Sequence, residues 1–401
     1  MTNVPEMRFD GLDGEWDSNY LKKLASIYDG THQTPNYTKS GVKFLSVENI
    51  KDLKATKYIS EKDFEKNFKV FPEFNDILMT RIGSVGITNI IKSNERFAYY
   101  VTLALIKPKE WIFPEFLNYS INSHKVQKEI WKRTLHVAFP NKINMNQIGE
   151  IPLKYPVWEE QEKIGVLFKK LDSLIEIQEG KVSKMEDFKK SMLQKMFPKK
   201  GELVPEFRFD GFDSNWLLSR LGEVTSLRGG YAFKSQNYIE NGIPILRISN
   251  INANGTTNED YVYYTEISND DNISLDNGAI VLAMSGATTG KISILKTQGK
   301  VYQNQRVGYF TKSDIVDYLY LSVILRSHLF TSQLDKILIT GAQPNISSKD
   351  VENFSFKFPS LEEQQKIGKF FKNLDAQIEN EEKLLESYKN MKKSLLQKMF
   401  V

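Results

Sequence analysis

An internal repeat constrains this chain most, because it divides the 401 residues into two similar halves. A segment beginning Val-Pro-Glu spans residues 4–13 and returns at 204–213, followed each time by a tryptophan, Trp16 or Trp216. Two longer segments, 157–197 and 360–400, are identical at 21 of 41 aligned positions. Identity over two separate stretches predicts a tandem duplication of one unit of ~200 residues.

The residues between the repeated segments have diverged far more. Residues 17–150 and 217–353 share only short similar segments, such as Ser123-His124 and Ser327-His328. Similar repeated segments around different intervening residues indicate two binding modules with different targets. The alternative is neutral drift of a duplicated globular domain. Drift should lower the sequence identity of the repeated segments and of the residues between them more evenly.

The longer repeats predict two long helices. Pro156 and Pro359 precede them, and apolar residues recur at a 4-3-4-7-3 spacing that forms a seam along one face. About 38 residues in a helix would extend roughly 57 Å. The predicted seam residues are Ile164, Phe168, Leu171, Ile175, Val182 and Met185 in the first helix, and Ile367, Phe371, Leu374, Ile378, Leu385 and Tyr388 in the second.

An apolar seam of this length needs a partner. A tandem repeat can fold back on itself, so we expect an intramolecular antiparallel coiled coil with pseudo-two-fold symmetry. The alternative is a homodimeric coiled coil between chains. The predicted boundaries are a first module at 1–156, a long helix at 157–200, a second module at 201–358 and a second long helix at 359–401.

Each module is predicted to be mixed α/β, which places the chain in the α+β class. Short runs rich in β-branched and aromatic residues come first, for example 243–248, 279–284 and 306–311 in the second module. Helical spacing follows, at about 114–132 in the first module and 313–338 in the second.

Polar loops between these elements are the candidate binding residues. Glycine-containing loops follow a strand at 81–86 and 285–291; the second has the wrong spacing for a phosphate-binding P-loop, and both could be plain tight turns. Arg, Lys, Asn and Gln are the side chains that read base edges and neutralise phosphates. The predicted DNA-binding residues are His32, Gln33, Tyr37, Lys39, Arg81, Ser84, Asn141, Lys142, Arg228, Tyr231, Lys234, Arg247, Ser285, Thr288, Thr289, Lys291, Asn304, Arg306, Gln343 and Asn345.

Composition narrows the function classes. The chain has no cysteine, four scattered histidines and a net charge of +4, so we expect no thiol chemistry and no metal site. We expect no signal peptide, no membrane span and a cytoplasmic location. No catalytic residues are predicted, because no nucleophile has a convincing base and no dinucleotide-type glycine motif follows a strand. A stand-alone magnesium-dependent nuclease and a coiled-coil scaffold that binds only proteins remain alternatives.

Taken together, these features resemble the specificity subunits of Type I restriction-modification systems. The resemblance covers the whole chain and rests on the lead-ins at 5–16 and 205–216, on Glu-Gln-x-Lys-Ile-Gly at the start of both long helices, and on their Lys-Met-Phe ends. The loops of the first module depart from the family pattern.

The resemblance implies a non-catalytic subunit for phage defence. Its two target-recognition domains would each read one half of a split site in double-stranded DNA through the major groove. The paired helices would fix the gap, with half-site centres ~34–36 Å apart if the gap is near one helical turn. They would also dock two methyltransferase subunits that bring S-adenosylmethionine, and restriction subunits that use ATP and magnesium would join.

Overall fold

The computed structural model describes residues 3–338 and 345–401. The chain divides into two compact units, the first comprising residues 1–181 and 382–401 and the second residues 182–381. Each unit therefore contains one module, the beginning of one long helix and the end of the other.

The first unit begins with strands and ends with helices. Its elements are β1 (Asp17–Tyr20), α1 (Leu21–Leu24), β2 (Ala25–Asp29), β3 (Tyr37–Thr38), β4 (Val42–Leu45), β5 (Lys57–Ile59), α2 (Glu61–Asn67), β6 (Ile77–Thr80), β7 (Thr88–Ile90), β8 (Phe97–Tyr99), β9 (Leu103–Pro108), α3 (Pro114–Asn122), α4 (His124–Arg133), α5 (Met145–Gly149), β10 (Pro152–Tyr155) and the first long helix, α6 (Trp158–Lys195), which continues into the second unit.

The second unit has a similar order, although among its described residues β3 and α2 have no counterpart and a short strand, β15 at Ser274–Leu275, is added. Its elements are β11 (Leu217–Arg220), α7 (Leu221–Val224), β12 (Leu227–Arg228), β13 (Ile243–Leu246), β14 (Val262–Tyr264), β15 (Ser274–Leu275), β16 (Ile280–Ala283), β17 (Ile292–Ile294), β18 (Val301–Gln303), β19 (Val307–Phe310), α8 (Tyr318–Leu325), α9 (His328–Leu338), α10 (Ser348–Glu352), β20 (Ser355–Phe358) and the second long helix, α11 (Leu361–Lys398), which ends in the first unit.

The sheets of the two units share most of their topology and differ in one edge strand. The first unit has an antiparallel sheet in the order β2-β9-β6-β7, and a second sheet, β3-β5-β4-β8, in which β4 and β8 are parallel. The second unit has the corresponding first sheet, β12-β19-β16-β17, and a second sheet, β14-β13-β18-β15, in which β13 and β18 are parallel. The fourth strand of this second sheet differs between the units, because β3 pairs with β5 in the first unit whereas β15 pairs with β18 in the second. A two-stranded pair, β1-β10 or β11-β20, closes each module. The predicted duplicated α+β fold is confirmed.

The strands β6 and β16 lie at the centre of each module. All four residues of β6 are buried, because Ile77 and Met79 face the helices while Leu78 faces the second sheet. In β16, Ile280 and Leu282 face the helices while Val281 faces the second sheet. Alternate side chains of a strand point to opposite faces, so each central strand joins two apolar cores.

The single helices predicted at 114–132 and 313–338 are each two helices. Ser123 has extended backbone (φ −65°, ψ 150°) between α3 and α4, and the Gln127 amide donates to the freed carbonyl of Ile121 at 2.9 Å. In the second unit the Ser327 hydroxyl donates to the carbonyl of Ile324 at 2.7 Å. The Ser-His segment shared by the two halves thus marks a helix break that side chains stabilise.

The repeated sequence motifs form the site at which each long helix begins on its module, here called the seat. In the first unit the Arg8 guanidinium donates to both carboxylate oxygens of Glu160, at 2.8 and 2.7 Å, and Glu160 is fully buried. The Gln161 side chain accepts from the amide of Phe113 at 3.0 Å and donates to the carbonyl of Pro156 at 2.9 Å. These bonds join the lead-in, the module and the first turn of α6.

The second unit builds the same seat. Arg208 donates to both oxygens of Glu363 at 2.8 and 2.7 Å, and these hydrogen bonds raise the pKa of Arg208. Gln364 accepts from the amide of Asp317 at 2.9 Å and donates to the carbonyl of Pro359 at 3.0 Å. The buried ion pair is satisfied on both sides, as a buried charge requires.

The end of the other long helix completes each seat. In the first unit Phe400 packs against Trp16, Phe116 and Phe168 with ring centroids 5.6–6.2 Å apart. In the second unit Phe197 packs against Trp216 at 6.0 Å and Tyr320 at 5.9 Å. The Met-Phe ends of the repeat are therefore core residues, whereas the lysines before them are exposed.

Ion pairs show the direction of helix pairing inside each unit. In the first unit Lys392 contacts Asp172, and Lys389 lies 2.7 Å from Glu179. The later residue of α11 thus pairs with the earlier residue of α6, so the two helices run antiparallel. In the second unit Lys189 lies 2.6 Å from Asp375. The predicted antiparallel pairing within one chain is confirmed in each unit.

The predicted seam residues are buried or half-buried. Those that are buried are Ile164, Phe168, Leu171, Val182, Ile367, Phe371, Leu374 and Ile378, and those that are half-buried are Ile175, Met185, Leu385 and Tyr388. The first turns of the seam pack on the module as well as on the other helix, since Ile164 and Phe168 share a core with Phe116.

Two glycines of α6 give a matched stability test. A Cβ at Gly165 would lie 2.7 Å from the Phe113 ring and 3.0 Å from the Phe116 nitrogen, whereas a Cβ at Gly180 would meet nothing within 4 Å. We expect Gly165→Ala to lower the free energy of unfolding by about 1–3 kcal/mol through overpacking. Gly180→Ala should raise it by about 0.5–1 kcal/mol, because alanine favours a helix interior. Urea unfolding followed by circular dichroism measures both changes. Changes of the same sign would contradict the close packing of α6 against the module at Gly165.

Candidate nucleic-acid interface

In the first unit, four loops meet where β6 ends. The amide of Val101 donates to the carbonyl of Thr31 at 2.9 Å, and the amide of Arg81 donates to the carbonyl of Thr102 at 2.9 Å. The amide of Gly83 then donates to the carbonyl of Asn141 at 2.8 Å. These bonds join the loops around residues 31, 101, 82 and 141 into one strip, here called the loop strip.

The second unit forms a corresponding loop strip where β16 ends. The amide of Gln305 donates to the carbonyl of Tyr231 at 2.9 Å, and the amide of Met284 donates to the carbonyl of Arg306 at 3.0 Å. Ser285 and Asn345 pair as an isolated antiparallel bridge, as Ile82 and Lys142 do in the first unit. These hydrogen bonds and bridges of the backbone thus correspond in the two units.

The side chains at corresponding strip positions differ. Hydrogen-bond register aligns Thr31 with Tyr231, Tyr100 with Asn304, Thr102 with Arg306, Ile82 with Ser285 and Lys142 with Asn345. Every pair changes chemical type. One scaffold therefore presents two different sets of donors, acceptors and apolar groups.

Three of the predicted arginines are held by the protein. Arg81 is buried, and its guanidinium lies 2.5 Å from a carboxylate oxygen of Asp29. Arg228 donates to the side chain of Gln303 at 3.1 Å and to the carbonyls of Asp271 at 3.1 Å and Ser274 at 2.8 Å. Burial lowers the pKa of Arg228. Arg247 is half-buried and donates to the carbonyl of Asp260 at 3.2 Å.

Other predicted cations extend into solvent. Arg306, Lys234 and Lys142 are exposed, and within the described ranges their side chains make no hydrogen bond or ion pair. Tyr231 is exposed beside Phe233, with ring centroids 4.9 Å apart. Arg306 is the arginine of the second loop strip whose full set of donors is available to a ligand.

The remaining predicted residues lie on or near the strips. His32 and Gln33 are exposed in the loop after β2, and His32 lies 3.0 Å from Asp29. Tyr37 is exposed on β3, and Lys39 is exposed directly after it. The carbonyl of Ser84 accepts from the Thr80 hydroxyl. Those that lie in the β16–β17 loop are Ser285, Thr288, Thr289 and Lys291. Gln343 lies outside the described residues. The contacts of all these side chains with DNA stay predictions.

Thr288 and Thr289 shape their own loop. The Thr288 hydroxyl donates to the carbonyl of Ile248 at 3.3 Å, and the Thr289 hydroxyl donates to the carbonyl of Gly286 at 2.7 Å. The Ser285 hydroxyl oxygen is buried and has no hydrogen-bond partner among residues 3–338 and 345–401.

Tyr100 and Thr102, which are half-buried strip positions of the first unit, were not among the predicted residues. Their signal is the parallel pairing of β4 with β8, which brings the end of β8 beside the loop at Thr31. A single sequence does not reveal which strands pair.

Metal binding and membrane insertion concern residues 3–338 and 345–401, the part of the chain that the structure describes. In that part of the chain no group of three or more His, Asp and Glu side chains is placed to hold a metal ion. Within the same ranges, none of the helices combines the length and apolar character needed to cross a bilayer.

Known proteins share both the sequence pattern and the fold. The family profile described as "Type I restriction modification DNA specificity domain" matches residues 15–187 and 213–389. The Type I restriction enzyme MjaVIII specificity subunit of Methanocaldococcus jannaschii is 27% identical over 371 residues, covering 88% of this chain and 84% of that protein.

Two solved structures have a similar fold. The crystal structure of a Type I restriction-modification S subunit from M. genitalium superposes with a TM-score of 0.68 at 16% identity, covering 99% of each chain. A chain from a study of complex assembly and conformational transition of the type I R-M system superposes with a TM-score of 0.55 at 15% identity, covering 96% of this chain and 97% of that one.

Two predicted arginines of the second unit, Arg228 and Arg306, should differ in what they contribute to stability. Arg228→Ala removes the partners of two carbonyls and of Gln303, so we expect the free energy of unfolding to fall by about 1–3 kcal/mol. Arg306→Ala removes an exposed side chain and should change it by less than about 0.5 kcal/mol. Urea titration of both variants tests this, and equal losses would contradict the assignment of Arg306 as available for binding.

Proposed function

Because this chain belongs to the family of Type I restriction-modification DNA specificity subunits, we propose that each unit reads one half of a bipartite site in double-stranded DNA. The observation that carries the proposal is the pair of loop strips, which share backbone hydrogen bonds and differ in side chains. Neither a stand-alone nuclease nor a protein-only scaffold is supported by the family.

Each loop strip suits base recognition in the major groove. Arg306 can donate two hydrogen bonds to guanine, and Asn345 or Asn141 can pair with adenine. Exposed lysines such as Lys142 and Lys234 suit phosphates, which set register and carry no sequence information directly. Since corresponding positions differ in chemistry, the two half-sites should differ in sequence.

The arginines held by the protein have a supporting role in this proposal. Arg81 and Asp29 join the loop after β2 to the loop after β6, and Arg228 joins β12 to the loop before β15. Holding these loops in place lowers the ordering cost when DNA binds.

The chain acts without chemistry of its own in this proposal, as part of a cytoplasmic complex. Two methyltransferase subunits would dock on the long helices and supply S-adenosylmethionine, and an adenine of each half-site would be flipped into them. Restriction subunits with ATP and magnesium would complete the assembly. The solved structure that superposes with a TM-score of 0.55 comes from a study of complex assembly and conformational transition of the type I R-M system.

Methylome sequencing tests the proposal directly. Cells that express this chain with its methyltransferase subunit should carry methylated adenines in one asymmetric two-part sequence. Arg306→Ala should relax one base position of one half-site and weaken binding by about 1–3 kcal/mol. Arg220→Ala, an exposed arginine on β11, is the matched control and should leave the motif unchanged. Methylation at one continuous short site, or none, would refute the proposal.

The long helices set the gap between half-sites in this proposal. Inserting seven residues after Lys181 and after Glu381 adds ~10 Å to each helix. We expect the tolerated gap to lengthen by about three base pairs while both half-site sequences stay the same. Preserved half-sites show that the modules are folded, and an unchanged gap would count against the helices as spacers.

A further inference from the structure

We propose, building on the proposed function, that the first unit reads a thymine methyl group with Phe139, so that its half-site contains an A·T pair recognised by apolar contact. The observation behind this proposal is a loop at 135–142 that presents two apolar side chains to solvent beside the first loop strip.

The base of this loop is fixed. The amide of Leu135 donates to the carbonyl of Lys142 at 2.7 Å, and Lys142 also pairs with Ile82 of the loop strip. His136 donates to the carbonyl of Trp131 at 2.9 Å, and its ring lies 4.7 Å from the Trp131 ring. The loop is therefore tied both to α4 and to the strip.

The tip of the loop is apolar and open. Phe139 and Val137 are 103% and 99% exposed, the highest values among the large hydrophobic residues of the described chain. Burying a phenylalanine side chain lowers its free energy, so two fully exposed apolar residues on one fixed loop form a tip that is available for an apolar contact. The loop already has an ordered base, so little ordering is needed when that contact forms.

Continuity with the loop strip favours DNA as the occupant. Asn141 and Lys142 follow Phe139 on the same loop, are exposed and belong to the predicted recognition residues. An amide that pairs with adenine and an adjacent ring that packs on the partner thymine methyl would read one A·T pair from both bases. Lys142 gives the same edge a positive charge that suits a nearby phosphate.

The test is a chemical double-mutant cycle on the complex of this chain with its methyltransferase subunits. The half-site whose motif does not respond to Arg306→Ala is assigned to the first unit. Each thymine in it is replaced in turn by deoxyuridine, which removes only the methyl group. Duplex affinity is then measured by fluorescence anisotropy for the wild type and for Phe139→Ala.

We expect one thymine at which deoxyuridine weakens wild-type binding about fourfold, the effect of one buried methyl carbon. Phe139→Ala should bind the thymine duplex more weakly by at least this factor and should not distinguish thymine from uracil there. Phe74→Ala removes a phenylalanine that is 54% exposed and precedes β6, at the opposite end of that strand from the loop strip, and it should behave as wild type.

Several results would overturn the inference. These are wild-type affinity in Phe139→Ala, an equal uracil penalty in both proteins at every position, or a first half-site without an A·T pair. Loss of methyltransferase binding in Phe139→Ala would assign the tip to a protein contact. If Phe139 instead inserted between two base pairs, 2-aminopurine placed in the half-site would become more fluorescent, and replacing thymine by uracil would not change the affinity. That result would also overturn the inference. Absence of any two-part motif would refute the proposed function itself, whatever Phe139 does.

Discussion

The rest of the structure depends on the buried ion pair that joins each lead-in to the first turn of a long helix. Arg8 with Glu160 and Arg208 with Glu363 have the same two-bond geometry. Removing one partner of such a pair leaves an uncompensated buried charge, which typically costs 3–5 kcal/mol. The adjacent glutamine and the close approach at Gly165 and Gly368 leave the helix little freedom relative to its module.

A fixed module lets function vary without loss of the fold. The central strand of each unit is buried on both faces, so its course is set by packing. The loop strip that begins where this strand ends is held by backbone hydrogen bonds, which do not depend on side-chain type. Side chains on the strip can therefore change, and Thr102 in one unit corresponds to Arg306 in the other. This explains why the two halves are similar in the repeated segments and different in residues 17–150 and 217–353, which lie between them.

Sequence alone predicted the duplication, the long helices and their antiparallel pairing, because each is recorded in local pattern or repeat identity. It also placed Asn141, Arg306 and Asn345 in loops that the fold brings to the strips. It did not separate Arg306 from Arg81 and Arg228, since an exposed and a buried arginine look alike until their partners are known. Phe139 passed unnoticed as a contact, because its exposure depends on how residues 135 and 142 pair.

The central claim is that side chains on one shared backbone frame determine each half-site, and a module replacement tests it most directly. A chain in which residues 217–353 replace residues 17–150 would be expressed with the methyltransferase subunit, and its methylome sequenced. The account predicts a two-part motif whose halves are the same sequence, that of the second unit. Retention of two different half-sites would contradict it.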